Sequence, residues 1–520
     1  MSLIEFKNVN FIYNGEDTES LSGINLKINE GDFVVVSGKT GSGKSTLLRL
    51  MVESVPNYGT VNNEILFDES IKAEKGKLPK VMYLMQQIEH QIITDKVWHE
   101  LAFCLEQAGL SQNEMRNRVA EVSNFFGIEH LYKKSTDKLS GGEKQLLVLA
   151  SLVAANPKVL VLDEPVSKLD PITAERFTEN LRRLHDELGI TVIVAEHRLE
   201  SLIMPADKLV IMDKGKILLE GKKEDVCKEM ALNKEKYDIQ AFPSVYKKAV
   251  SLGIKDKLPL SVKEAKDINL DKILLDSLNK KQDELLNKDK DKEKPDYILS
   301  LREVCASYDK KTPVISNLSF KLAQGKRLFI LGANGSGKST LLKVIAGVKK
   351  PDSGKIKASV PVYMLIQDVE MCFLKNTVKE ELLSVYKSLD DVMIPLDFSD
   401  NYLKRHPYDL SGGEKQLLAL AKVLSCAKKD ENFLLLLDEP TKGLDETQRE
   451  KVEAVLSLVK AAGNSIITVT HDLEYASKYA DYAAFLFDKD LVGLSKASEF
   501  FKNNKIYTTQ LGRLTNGEIL

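Results

Sequence analysis

GKTGSGKSTLLRL at Gly38–Leu50 returns as GANGSGKSTLLKV at Gly332–Val344, and this echo decides how the chain is built. A strand-like stretch, Phe33–Val36 or Leu328–Leu331, precedes each copy, and a helical pattern follows. Three further blocks return in the same order. LSGGEKQLLVLA (Leu139–Ala150) returns as LSGGEKQLLALA (Leu410–Ala421), VLVLDEP (Val159–Pro165) as LLLLDEP (Leu434–Pro440), and TVIVAEH (Thr191–His197) as IITVTH (Ile466–His471). Four blocks recurring once across 520 residues mean domain duplication rather than a short structural repeat. The halves are not copies. Lys44 lies 96 positions before Ser140, and Lys338 lies 73 before Ser411, so the first half carries 23 extra residues there.

The opening block has the spacing GxxxxGK[ST] in the strand–loop–helix context that a phosphate-binding loop requires. Its glycines, Gly38, Gly41 and Gly43, with Gly332, Gly335 and Gly337, let backbone N–H groups wrap a polyphosphate. Lys44 and Lys338 are then placed for the β- and γ-phosphates of ATP, and Ser45 and Ser339 for Mg²⁺, with Thr46 and Thr340 completing each loop. Val159–Leu162 and Leu434–Leu437 are unbroken apolar runs, suited to strands buried on both faces of a parallel sheet. Each ends in Asp-Glu at the strand's C-terminal end, where α/β sheets hold ligands. Asp163 and Asp438 are candidate Mg²⁺ ligands; Glu164 and Glu439 are candidates to orient or deprotonate the attacking water.

Composition narrows the class. Apolar residues make up 43% and charged residues 29%, which is ordinary for globular domains. A formal charge of −2 supplies no basic field, so nucleic acid is not an expected partner. No apolar run reaches 18 residues and MSLIEFKNVN does not read as a signal peptide, so the expected location is the cytoplasm. The five cysteines form no CxxC pair, which predicts reduced thiols rather than a disulfide framework. Boundaries are expected at 1–235 for the first domain, 236–279 for a small helical appendage to it, 280–297 for a charged flexible linker, 298–505 for the second domain and 506–520 for a tail.

LSGGEKQ between a phosphate loop and an apolar strand ending in DEP resembles the ABC ATPase superfamily, over residues 1–235 and 298–505. The resemblance implies an α/β fold: two P-loop NTPase domains in tandem, each with a mostly parallel core sheet, an antiparallel β subdomain and a helical subdomain. Ser140, Gly141 and Gly142, with Ser411, Gly412 and Gly413, form the signature. They start a helix where backbone can approach phosphate, although SGGE alone also reads as an N-cap. In the family each ATP lies between one domain's P-loop and the other's signature, which implies that the two halves pair intramolecularly. Tyr13 and Tyr308 match positions that stack on adenine. Gln86 (with Gln87 adjacent) and Gln367 match the Mg²⁺-sensing loop, Asp170 and Asp445 the interface segments, and His197 and His471 the γ-phosphate contact.

Met82–Phe103, with Gln86 and Gln91, and the stretch VAEHRLE resemble the energy-coupling-factor (ECF) and cobalt-type ATPases in particular. The second half departs from them, with Cys372 in place of Gln91 and THDLE in place of EHRLE. That resemblance implies an ATPase at the cytoplasmic face of the membrane that energises uptake of a vitamin or metal ion. Its partners would be a transmembrane coupling protein and a substrate-binding membrane protein, with Trp98 in the groove receiving the former. A soluble tandem ATPase acting on ribosomes or nucleic acid is the alternative. The cargo is not encoded in these residues.

Overall fold

The computed structural model describes residues 2–56, 58–72, 77–275, 296–309, 312–392, 394, 396, 398–427, 431–505 and 507–519. Most of the expected linker lies outside them. The chain forms two compact units, Met1–Ser261 and Val262–Leu520.

In the first unit the strands are β1 (Ser2–Tyr13), β2 (Leu21–Asn29), β3 (Phe33–Gly38), β4 (Gly59–Phe67), β5 (Val81–Leu84), β6 (Val159–Asp163), β7 (Thr191–Glu196), β8 (Lys208–Asp213) and β9 (Lys216–Lys222). The core sheet runs β5-β6-β7-β3-β8-β9, parallel throughout except for the β8–β9 hairpin. A separate antiparallel sheet, β2-β1-β4, accompanies it. The apolar run of β6 is buried at every position. Alternation assigns Leu160 and Leu162 to one hydrophobic cluster and Val159 and Val161 to the other, so the strand is sandwiched between two cores.

The second unit repeats this with β10 (Tyr297–Ser307), β11 (Pro313–Ala323), β12 (Arg327–Leu331), β13 (Ser353–Ala358), β14 (Val362–Leu365), β15 (Leu434–Asp438), β16 (Ser465–Thr470), β17 (Tyr482–Phe487) and β18 (Asp490–Lys496). Its core order, β14-β15-β16-β12-β17-β18, is that of the first unit strand for strand. The 23-residue difference is shared between two stretches: Lys44 to Val81 spans 37 positions against 24 from Lys338 to Val362, and Val81 to Ser140 spans 59 against 49 from Val362 to Ser411. In the second of these stretches, helices Val97–Gln107 and Gln112–Phe126 stand where the second unit has the shorter α-helices Val378–Leu383 and Asp400–Lys404 among its described residues. The longer second helix is secured by a Ser111–Glu114 capping box and by Gly127 in the left-handed conformation at its end.

The expected appendage at 236–279 does not stay together on the first domain. Helix Ser244–Ser251 packs there: Phe242, Tyr246 and Val250 join its core, and Tyr246 Oη donates to Cys227 O at 2.7 Å. Helix Val262–Asp267 belongs to the second unit, packed against Gln510–Leu514. Apolar side chains made both segments read as helical, but the pattern does not specify which core receives them. The stretch read as a tail thus includes a short docked helix, with Leu514 buried. No helix among the described residues is long and apolar enough to cross a membrane.

Candidate functional site

In each unit the phosphate loop runs from the end of a central strand, β3 or β12, into a helix starting at Lys44 or Lys338. Gly43 and Gly337 cap those helices at φ +96° and +102°, in the left-handed region. A Cβ on Gly43 would lie 2.8 Å from Leu21 Cδ2 and 3.0 Å from Ser20 O, so glycine is required twice over. The lysines bond matching carbonyls. Lys44 Nζ donates to Gly38 O (2.8 Å) and Lys39 O (3.0 Å), and Lys338 Nζ to Gly332 O (2.8 Å) and Ala333 O (3.0 Å). Ser42 Oγ and Ser336 Oγ, inside the two loops, are buried without a hydrogen-bond partner, as donors awaiting a ligand would be.

A cavity of about 560 Å³ opens over the first loop. It brings together Lys44, Ser45, Thr46, Gln86, Glu164 and His197. Glu19, Ser20, Lys214 and Gly215 also line it, and reading the sequence missed these. Lys214 and Gly215 form the β8–β9 turn, whose Gly215 N donates to Ser42 O at 3.0 Å. The only signal was the generic turn sequence DKGK.

Glu164 and Glu439 both have positive φ, +49° and +50°, which is uncommon outside glycine. The strained turn is fixed by backbone bonds from Glu164 N to Ala195 O (2.9 Å) and from Glu439 N to Val469 O (3.0 Å). It aims each carboxylate at the histidine that follows the neighbouring strand. His197 Nε2 lies 2.5 Å from Glu164 Oε1, and His471 Nδ1 lies 3.0 Å from Glu439 Oε1. Burial would raise both carboxyls, but the hydrogen bond and charge of the histidine, with the P-loop lysine, hold them below the usual range. Burial raises Asp163 and Asp438, helped by the adjacent glutamate.

Gln86, rather than Gln87, reaches the site: its Nε2 donates to Glu164 Oε2 at 2.7 Å. Gln91 steadies that loop, donating to Tyr83 O (2.7 Å) and accepting from Met85 N (3.1 Å). In the second unit Gln367 is exposed, and no bond from it to Glu439 is found among the described residues. Tyr13 Oη pairs with Thr46 Oγ1 at 2.9 Å; Tyr308 Oη accepts from Thr340 Oγ1 at 3.4 Å, with Lys349 over its ring. Trp98 is partly exposed and stacks on His99.

The signature serines are occupied as caps. Ser140 Oγ accepts from Glu143 N and Ser411 Oγ from Glu414 N, and both boxes are closed by the glutamate. Gly142 and Gly413 are needed for packing, since a Cβ would meet Thr173 or Gln448 at 2.6 Å. Gly141 has nothing within 4 Å of that point, and Gly412 only Leu444 Cδ2 at 3.5 Å, so the first signature glycine is open to an approaching ligand. Asp170 and Asp445 each cap the helix that follows.

The donor set fits Mg²⁺. Ser45 Oγ donates to Asp163 Oδ1 at 3.0 Å, and Asp438 Oδ1 is buried with no partner. Hydroxyl and carboxylate oxygens suit a hard cation that keeps most of its shell as water and phosphate. No cluster of three or more His, Cys, Asp or Glu able to hold a metal occurs among the described residues.

The family pattern described as "ABC transporter" matches residues 21–167 and 315–442. A Bacillus anthracis protein named "Putative ABC transporter ATP-binding protein" is 33% identical over 545 aligned positions, covering 99% of this chain and 96% of its own length. A Methanosarcina acetivorans protein of the same name is 30% identical, covering 97% and 86%. Among solved structures, ABCE1 in a model of ribosome-bound archaeal Pelota and ABCE1 superposes with a TM-score of 0.64 at 20% identity, covering 95% of this chain and 79% of that one.

Proposed function

Because the chain belongs to the ABC transporter family of ATP-binding proteins, we propose that it is the ATPase subunit of an ECF-type uptake transporter for a vitamin or metal ion. It would work at the cytoplasmic face of the membrane, with a separate transmembrane coupling protein and a substrate-binding membrane protein. The observation that carries this reading is the bond from Gln86 to Glu164. It joins the ECF-like stretch Met82–Phe103, where a coupling partner would dock, to the carboxylate proposed to act on water.

At each site the P-loop amides, Ser42 or Ser336 and the lysine would bind the polyphosphate. Ser45 with Asp163, and Ser339 with Asp438, would hold magnesium, which when bound offsets phosphate charge. Glu164 and Glu439, held ionised at neutral pH, orient the attacking water and take its proton. In the first site the His197 ring meets Glu164 Oε1 at Nε2, and its Nδ1 lies beside Gly38 O and Lys44 Nζ. Tyr13 and Tyr308 would flank the adenine.

The test is affinity capture from detergent-solubilised native membranes, using wild type and a Glu164→Gln/Glu439→Gln variant. ATP turnover is measured on both. Recovery of an integral-membrane coupling protein with a substrate-binding membrane protein supports the proposal. Ribosomes or nucleic acid, with no membrane partner from either form, would overturn it.

A further inference from the structure

Each unit ties the histidine-bearing strand end to the segment after the Asp-Glu pair, and the two ties have opposite chemistry. In the first unit the tie is Glu196, the last residue of β7, which is 1% exposed. Its Oε1 accepts from Val166 N at 2.8 Å, and its Oε2 from His197 N at 3.1 Å. One carboxylate therefore fixes both the start of the Val166–Asp170 segment and the backbone of the histidine that bonds Glu164. In the second unit the same position is Thr470. Its hydroxyl donates to Glu439 Oε2 at 3.1 Å and accepts from Asp472 N, but does not reach the following segment.

There the segment is held by Arg449 instead. Arg449 donates to Leu444 O (3.2 Å) and Thr441 O (3.4 Å), and its Nη2 pairs with Asp472 Oδ2 at 2.9 Å, next to His471. The pair is largely buried, with Arg449 12% and Asp472 6% exposed. Counted from the capping aspartates, Ala174 stands at the place of Arg449. Counted from the histidines, Arg198 stands at that of Asp472. The first unit thus lacks both members of the cationic tie, and the second lacks the carboxylate.

We propose that Glu196 in the first half, and the Arg449–Asp472 pair in the second, are positioning residues for ATP hydrolysis. They hold the histidine loop and the segment after the Asp-Glu pair in one register, so that the two sites are set by independent devices. This rests on the ATPase reading above. A misplacement of the histidine or the glutamate by a fraction of an ångström reduces turnover without touching the groups that bind nucleotide.

The experiment uses the purified full-length chain with the other half's glutamate changed, Glu439→Gln when the first half is tested and Glu164→Gln when the second is, so that kcat and KM for ATP report one site; a parent without turnover would overturn the independence of the two sites. Glu196→Thr is expected to lower kcat about fivefold or more with KM within about twofold. The triple variant Glu196→Thr/Ala174→Arg/Arg198→Asp transplants the second half's tie, and should recover kcat to within about twofold of the Glu439→Gln parent. In the second half, Arg449→Lys and Asp472→Asn, which keep charge or size, should each lower kcat about threefold at unchanged KM. They carry the same test should the Thr variant fail to fold. Unchanged kcat in the folded single variants, a triple variant no faster than Glu196→Thr, or a rise in KM matching the fall in kcat would overturn the proposal. A wild-type chain that does not hydrolyse ATP would instead overturn the function it rests on.

Discussion

The two phosphate loops agree to within a tenth of an ångström in how their lysines are held, while the strand ends facing them do not agree even in which atoms touch. His197 meets its glutamate through Nε2 and His471 through Nδ1. Gln86 bonds Glu164, whereas Glu439 is bonded by Thr470. Backbone does most of the work in a phosphate cradle, so the cradle tolerates little change. The carboxylate proposed to act on water is aimed by side chains, and those can differ between two sites of one chain.

The strongest test of this contrast is to disable one site at a time. Glu164→Gln or Glu439→Gln should each remove the turnover of its own site, about half of the total if the two contribute equally, and the double variant should lower turnover by about 10²-fold or more, the scale of a lost general base. Equal losses would mean that the differing surroundings leave the two sites equally active; unequal losses would rank them.

Second is a pH dependence that only the first half should show. Burial, with the Glu164 carboxylate nearby, raises Glu196 to about 7, while its two backbone donors and His197 oppose the rise. Between the ordinary carboxyl range and about pH 7 the folded chain keeps a proton that the unfolded chain has released. Stability therefore falls as pH rises through that window, by at most about 3 kcal/mol. Glu196→Gln should flatten this slope in unfolding midpoints measured from pH 5 to 8; a slope unchanged by the substitution would remove Glu196 as its source.

Third, Gly43→Ala and Gly337→Ala each force a side chain into left-handed backbone, costing about 1–3 kcal/mol along with nucleotide affinity. The first should cost more, since its Cβ would lie 2.8 Å from Leu21 Cδ2, against 3.0 Å from Val314 Cγ1 in the second. Thermal midpoints and titration with a fluorescent ATP analogue check the order. Smallest is Gln91→Ala, which removes two bonds to backbone and should cost about 1 kcal/mol; Cys372→Ala, at the matching position, should cost less.

Glycine spacing, the buried apolar strands and the registered Asp-Glu pairs made the duplication, the sheet and both loops legible in the sequence. Each reflects a backbone requirement that few residues satisfy. Glu196 was not legible as a positioning group because a glutamate ending a strand reads as a solvated rim; only the fold shows it buried against Val166 N. Arg449 and Asp472 lie 23 positions apart and become a pair only through packing. The signature serines read equally as caps or as ligand contacts, and the structure engages them as caps. The segment 236–279 showed helices but not the cores that would take them.

The positive φ at Glu164 and Glu439 has one more consequence. Glycine would enter that backbone state without the strain of about 1–3 kcal/mol, but it would also strip His197 or His471 of its buried partner, and the second loss is the larger. Each histidine thus serves as ballast as well as aim: the bond that orients the acid also holds down a backbone that would otherwise spring back.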